Sequence, residues 1–207
     1  TRSPTVTGVQ TCALPIYRTA YLVKNTPGGK FQPITYNQLK DDVNALGTAF
    51  MNLGLKGKTV GIIGENRYEW VISHFATSFG TGIVAPLDKD LPVDELKNLI
   101  SRAHISAIVY SGKVENHVMK AIEEQNGIEF IISMDAEKSD DERLSWKELM
   151  VSGRKSLAKG DRTFTDAEID PDVMTILLFT SGTTGLAKGV MPPTRSEERR
   201  VGKECRS

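Results

Sequence analysis

The apolar positions change period several times along this chain, and each change marks an element. Residues 20–24 and 31–34 are short strand-like runs. Between them lies Asn25-Thr26-Pro27-Gly28-Gly29-Lys30, dense in turn formers, which predicts a β-hairpin. Thr35 then opens a helix. Thr35 and Gln38 stand three apart, the spacing at which each side chain can satisfy an otherwise orphaned backbone N–H. Leu39, Val43, Leu46, Phe50 and Leu53 recur at steps of three or four, which places them on one buried face. Gly54 ends the helix in a left-handed cap.

Strands and helices then alternate. Strands are predicted at 59–63, 83–85, 107–110 and 130–133, and helices at 67–79, 93–103 and 114–124. The strands are apolar without strict alternation, as expected when both faces of a sheet are covered. Short strand–helix repeats mean βαβ units, so the fold class is α/β, with layered units on a mostly parallel sheet preceded by the hairpin. The charged stretch 135–143 reads as a surface loop in which Asp140 and Asp141 are solvated. Ser145 and Glu148 repeat the capping-box spacing and open a helix to about residue 158, and 160–171 is polar and irregular. A strongly apolar strand follows at 173–179 and is expected to be buried and rigid. Trp70 and Trp146 read as core residues. His74, His104 and His117 fall on predicted helices without metal-ligand spacing or a paired nucleophile, so they read as structural.

Composition narrows the function classes. With 207 residues and 39% apolar side chains, the chain is one ordinary domain or a piece of a larger one, and global disorder is excluded. Twenty-six basic and 26 acidic residues give a formal net charge of zero, against a nucleic-acid binder that works by broad phosphate neutralisation. No apolar run is long enough for a transmembrane helix. Cys12 and Cys205, near opposite ends, make neither a disulfide framework nor a four-ligand zinc site.

The two ends read differently from the middle. VTGVQTCALPI (6–16) and RSEERRVGKECRS (195–207) resemble in-frame translations of common short-read sequencing adaptors. Residues 1–16 and 195–207 are therefore set aside from fold reasoning. Cys12 and Val201 are expected to stay out of the core. The tails hold six basic and three acidic residues, so 17–194 keeps 20 basic and 23 acidic residues, a net charge of −3, and no cysteine.

The candidate chemistry follows the 173–179 run. Thr180-Ser181-Gly182-Thr183-Thr184-Gly185-Leu186-Ala187-Lys188-Gly189-Val190 suits a polyphosphate. Gly182 and Gly185 allow positive φ, so successive backbone N–H groups can converge on one anion. Ser181, Thr183 and Thr184 add hydroxyl donors, and Lys188 adds a charge able to reach β- or γ-phosphate oxygens. It is not a Walker loop, which needs Gly-Lys-Ser/Thr. Here Ala187 precedes the lysine and Gly189 follows it.

The string resembles the phosphate-binding signature of the adenylate-forming (AMP-binding) superfamily, which includes acyl-CoA synthetases, adenylation domains and luciferases. Ala187 stands where proline is commoner. Ile34-Thr35-Tyr36-Asn37-Gln38-Leu39 resembles the family's first signature, and GTGIVAPLD at 80–88 resembles the second. Glu65-Asn66-Arg67-Tyr68-Glu69-Trp70 is similar to the Asn-Arg-x-Glu-Trp stretch of long-chain fatty acyl-CoA synthetases. The resemblance covers 17–191 and identifies 17–194 as a partial, N-terminal portion of an AMP-binding domain.

What the resemblance implies is a two-step ligase using ATP, Mg²⁺ and coenzyme A. A carboxylate substrate, a fatty acid by subfamily, attacks the α-phosphate to give an acyl-adenylate and pyrophosphate. The thiol of coenzyme A then takes the acyl group. Thr180, Ser181, Thr183, Thr184 and Lys188 would hold the β,γ-phosphates, with Gly182 and Gly185 shaping the loop. The family's metal-binding glutamate, ribose-binding aspartate and lid lysine lie downstream of this chain, so it carries no catalytic or metal residue of its own and is expected to be inactive alone. The implied setting is cytoplasmic, with no nucleic-acid partner and with peripheral membrane association. Two rivals stay open: another adenylate-forming branch, acting on amino or aryl acids, and a non-catalytic phosphate-binding α/β module. Chain-length preference and oligomeric state are not legible.

Overall fold

The computed structural model describes residues 17–24, 28–123, 125–170, 172–180 and 188–190, and the side chains of all of these except Thr180 and 188–190. Both tails, with Cys12 and Val201, lie outside the described residues. The chain divides into two compact units, 1–42 and 43–207.

In the first unit, β1 (Thr19–Val23) and β2 (Gln32–Thr35) form the expected antiparallel hairpin, with Leu22 opposite Pro33 and Val23 opposite Gln32. The open end is fastened by Tyr36 N–H donating to Arg18 O at 3.1 Å. Helix α1 (Tyr36–Asn52) starts at a complete capping box. Thr35 N–H donates to Gln38 Oε1 at 2.9 Å, and Gln38 N–H donates to Thr35 Oγ1 at 3.2 Å.

The rest of α1 belongs to the second unit, where Val43, Leu46 and Phe50 are buried. Gly54, at φ 76°, ends it as the left-handed cap. Strands β3 (Thr59–Ile63), β4 (Ile83–Leu87), β5 (Ile105–Tyr110), β6 (Phe130–Ser133) and β7 (Leu144–Ser145) form one sheet in the order β4-β3-β5-β6-β7, every pair parallel. β3 lies inside the sheet, next to edge strand β4, and is buried at all five positions. Helix α2 (Tyr68–Ala76) joins β3 to β4, on one side of β3. Helices α3 (Val93–Arg102) and α4 (Glu115–Ile122) join β4 to β5 and β5 to β6, running the other way. Right-handed crossovers in opposite directions put α2 on one face and α3 and α4 on the other.

On the α3/α4 face, Ile63, Leu87, Leu96, Leu99, Ile108 and Val118 form the centre of a continuous core. On the other face, α5 (Trp146–Ala158) packs with α2. Trp146 is buried, and its indole N–H donates to Ser73 Oγ at 3.0 Å. Trp70 is only half-buried, edge-on to the His74 ring at 5.3 Å between centroids.

The glycine-rich turn before β4 has a physical reason. The chain leaves α2 through a wide π turn (Thr77–Thr81) in which Gly80 takes φ 149°. Gly82 then passes so close to Lys58 that any Cβ would overlap the Lys58 carbonyl, while Gly57 N–H bonds Thr81 O at 2.7 Å and Ile83 N–H bonds Lys58 O at 3.0 Å.

Three details depart from the sequence reading. His104 is not helical. It follows α3 in the left-handed region at φ 49°, because the chain must turn there to enter β5. Ser145 forms only half of its capping box. Its Oγ accepts from Glu148 N–H at 3.4 Å, but the Glu148 carboxylate is taken by Ser139 N–H at 3.0 Å, and Ser145 N–H turns to Ser139 Oγ at 2.9 Å. Finally, 173–179 is not one buried strand. Only β8 (Leu178–Thr180) is extended, no residue of 173–179 is buried, and Val173 is 54% exposed. The segment runs along the outside of edge strand β4, which can cover one flank only.

Candidate nucleotide phosphate site

Ile176 makes a parallel bridge to Val84. Val84 N–H donates to Thr175 O and Leu177 N–H to Val84 O, both at 2.8 Å. The direction of that bridge carries β8 toward the carboxyl edge of the sheet. The chain returns as β9 (Lys188–Val190), antiparallel to β8, with Thr180 opposite Lys188 and Leu178 opposite Val190. Of the candidate residues, Thr180 and Lys188 are therefore brought together as the paired ends of the loop. Ser181, Gly182, Thr183, Thr184 and Gly185 lie outside the described residues. Ligands in open parallel sheets bind outside the carboxyl ends of the strands, and β8 runs toward that edge.

The same edge carries a polar network built from the residues that follow β3, β5 and β6. Ser111 Oγ–H donates to Glu65 Oε2 at 2.5 Å, and Lys113 Nζ lies 3.3 Å from Glu65 Oε1. Arg67 Nη1 holds both carboxylate oxygens of Asp135, at 2.7 and 2.8 Å, and Arg67 Nε holds Glu69 Oε2 at 2.8 Å. Gly112 N–H also donates to Asp135 Oδ2, at 2.6 Å.

Burial alone would raise the Glu65 carboxyl, but the Ser111 hydrogen bond and Lys113 outweigh it and hold the group below the usual carboxylate range. Asp135 behaves likewise. Burial works upward, while Arg67 and the Gly112 N–H pull it down further. Arg67 is raised by Glu69 first and by Asp135, against burial. Strands β3 and β5 are neighbours whose following segments leave in opposite directions, so this network stands at the topological switch point. The motif resemblance had singled out 65–70 as a sequence stretch. Ser111, Lys113 and Asp135 were missed, although each sits just beyond the last residue of a strand, or within three residues of it.

The histidines stay outside this site. His74 lies on α2, its ring 5.6 Å from that of Phe75, and burial lowers its pKa. The His117 ring nitrogen Nε2 bonds Leu91 O at 2.6 Å. His104 borders an apolar cavity of about 390 Å³ that also touches Thr59, Ile83, Met174 and Phe179. Thr59 and Ile83 open their strands, so that cavity reaches the amino edge of the sheet. Among the described residues, no group of three or more His, Cys, Asp or Glu side chains could hold a metal ion, and no helix is long and apolar enough to cross a membrane.

Comparison with known proteins gives this geometry a family. The chain is 26% identical over 176 residues to long-chain-fatty-acid–CoA ligase 1 of Cavia porcellus, covering 80% of this chain and 25% of that protein. It is 30% identical to long chain acyl-CoA synthetase 5 of Arabidopsis thaliana, covering 90% of this chain and 30% of that one. The chain thus spans about a quarter of the length of the curated relatives it matches. Its fold is similar to that of a red-emitting luciferase from Phrixothrix hirtus, with a TM-score of 0.70, 20% identity, and coverage of 82% of this chain and 32% of that one. Residues 13–197 match the family described as AMP-binding enzyme, and the chain belongs to that adenylate-forming family.

Proposed function

We propose that this chain is the N-terminal portion of an ATP-dependent acyl-CoA synthetase that activates a fatty acid as its acyl-adenylate and passes the acyl group to coenzyme A. The observation that carries the reading is the string at 180–190, closed at its base by the Thr180–Lys188 pair at the carboxyl edge of a parallel sheet. In the complete enzyme the backbone N–H groups around Gly182 and Gly185, the hydroxyls of Thr180, Ser181, Thr183 and Thr184, and the Lys188 ammonium bind the β,γ-phosphates of ATP. Phosphoryl chemistry of this kind depends on positioning and on charge stabilisation. Mg²⁺, used with ATP, would neutralise charge on the phosphates. The 207-residue chain is inactive by itself, residues 1–16 and 195–207 are adaptor-derived, and the enzyme works on the cytoplasmic side in peripheral contact with a membrane.

The test is ATP–pyrophosphate exchange on the full-length protein with fatty, aryl and amino acids in parallel. Fatty-acid-dependent exchange supports the reading. Exchange driven only by aryl or amino acids moves the protein to another adenylate-forming branch, and no exchange with any acid leaves a non-catalytic phosphate-binding module. A charge-assisted hydrogen bond is worth about 1.5–3 kcal/mol, so Lys188→Ala is expected to weaken ATP use by about one to two orders of magnitude. Gly182→Val should be worse, because a β-branched residue resists positive φ and fills phosphate space. Wild-type exchange by Lys188→Ala at limiting ATP would reduce the loop to a turn.

A further inference from the structure

We propose that one face of the β1–β2 hairpin is a docking surface for an anionic lipid bilayer. The inference rests on the hairpin alone and does not need the chemistry proposed above to be right.

Register fixes the face. Leu22 stands opposite Pro33, so these two share a side of the ribbon, while Tyr21, Val23 and Ile34 lie on the other side and are half-buried. Lys24, two residues beyond Leu22, joins Leu22 on its side. Its ammonium sits 4.5 Å from the centre of the Phe31 ring, which brings Phe31 to the same face. A solvent-facing hairpin face ordinarily carries polar residues. Here it carries Leu22, Phe31 and Pro33, with Leu22 60% and Phe31 59% exposed. Tyr17 and Tyr36, 72% and 51% exposed, flank the open end. Amphipathic aromatics of this kind sit at the headgroup level of membranes.

Charge selects the occupant. From Tyr17 to Thr35 the hairpin has no acidic residue, whereas Arg18, Lys24 and Lys30 are basic, in a chain whose formal net charge is zero; Lys40, Asp41 and Asp42 follow together on α1. An apolar ribbon face with basic residues and no acidic residue on the ribbon itself is complementary to acyl chains beneath anionic headgroups. The Lys24–Phe31 contact supports this arrangement, because it holds a cation beside the ring that would enter the interface.

The experiment is co-sedimentation of the full 207-residue chain with phosphatidylcholine vesicles, with and without about 30% phosphatidylserine. Binding is expected only with phosphatidylserine and is expected to weaken in about 0.5 M salt. Lys24→Glu with Lys30→Glu should cut it at least about tenfold. Leu22→Ser with Phe31→Ser should cut it at least about fivefold. Val151→Ser, an exposed apolar residue of α5, should leave it unchanged. The tail 195–207 is also basic, so the deciding result is the loss on hairpin substitution. Binding that the hairpin variants leave intact, equal binding to both vesicle types, or no binding at all would overturn the proposal. Phe31→Trp gives a readout that does not depend on a loss. Against the parent's Trp70 and Trp146, its added emission should shift blue with phosphatidylserine vesicles, and an unshifted emission overturns the proposal equally.

Discussion

The carbonyl oxygen of Ala45 on α1 fills the space where a Cβ on Gly153 of α5 would stand. The two helices meet backbone to backbone at that point. Nearby, the Phe164 ring lies in the space of a Cβ on Gly47. Both glycines cost helix propensity, and both are explained by what they let approach.

Gly153→Ala is therefore expected to destabilise the protein, although alanine is the better helix former by about 1 kcal/mol. Overpacking against a backbone carbonyl cannot be relieved by a rotamer change, and a net loss of about 1–3 kcal/mol should follow. Urea unfolding followed by circular dichroism measures it. A rise in midpoint would refute this backbone-to-backbone contact.

Ser73 and Trp146 should be coupled. Ser73 Oγ–H donates to Glu69 O at 2.7 Å and accepts the indole N–H at 3.0 Å in a buried setting. Ser73→Ala strands a buried donor and should cost about 1–3 kcal/mol. In a Trp146→Phe background, where that donor is gone, the same change should cost much less. Additive losses in the double-mutant cycle would refute the contact.

Acid should weaken the protein by a route with a defined sign. Glu65 and Asp135 have folded pKa values below their ordinary ones, so the stability they contribute is present above the ordinary carboxylate range and is lost as pH falls through the folded values. His74 acts in the same direction for the opposite reason. Burial lowers its pKa, so the unfolded chain takes up the proton first as pH drops through the ordinary histidine range. Thermal midpoints should fall in two stages on acidification, near-neutral for His74 and more acidic for the carboxylates. Asp135→Asn should flatten the second stage and leave the first. An unchanged acid limb would show that the Arg67–Asp135 pair carries no such linkage.

His104→Gly is expected to stabilise. A non-glycine residue in the left-handed region costs about 1–2 kcal/mol, and glycine returns part of that through its freedom in the unfolded chain. A gain of about 0.5–1 kcal/mol is expected, and His104→Val should lose stability. The same urea titration reports both, and a loss for His104→Gly would place the ring in a contact that matters.

Much of this was legible in the sequence because the signals were local. The Thr35–Gln38 box and the Gly54 cap are set by neighbours within a turn, and the strand at 130–133 shows as a short apolar run bounded by turn residues. The errors came where distant groups decide. The apolar run at 173–179 looked buried, but burial depends on what flanks a strand, and this one lies outside β4. Glu148 has the right spacing for Ser145 but bonds Ser139, nine positions earlier, which the turn before β7 brings round. The switch-point network joins residues 46 and 68 positions apart, and no periodicity reports that. Of the candidate site, residue types and order were readable, and the pairing of Thr180 with Lys188 came only with the strands.

The sheet order also has a consequence for synthesis on the ribosome. β3 is an interior strand, yet both of its partners, β4 and β5, are made after it. Forty-seven positions separate Ile63 from Tyr110, the last residue of β5. At about 5–20 residues per second, β3 waits roughly 2–9 s before both flanks can exist, without counting the residues still held in the exit tunnel. During that interval Val60, Ile62 and Ile63 are nascent-chain surface, and the stretch is a natural place for a chaperone to hold this protein.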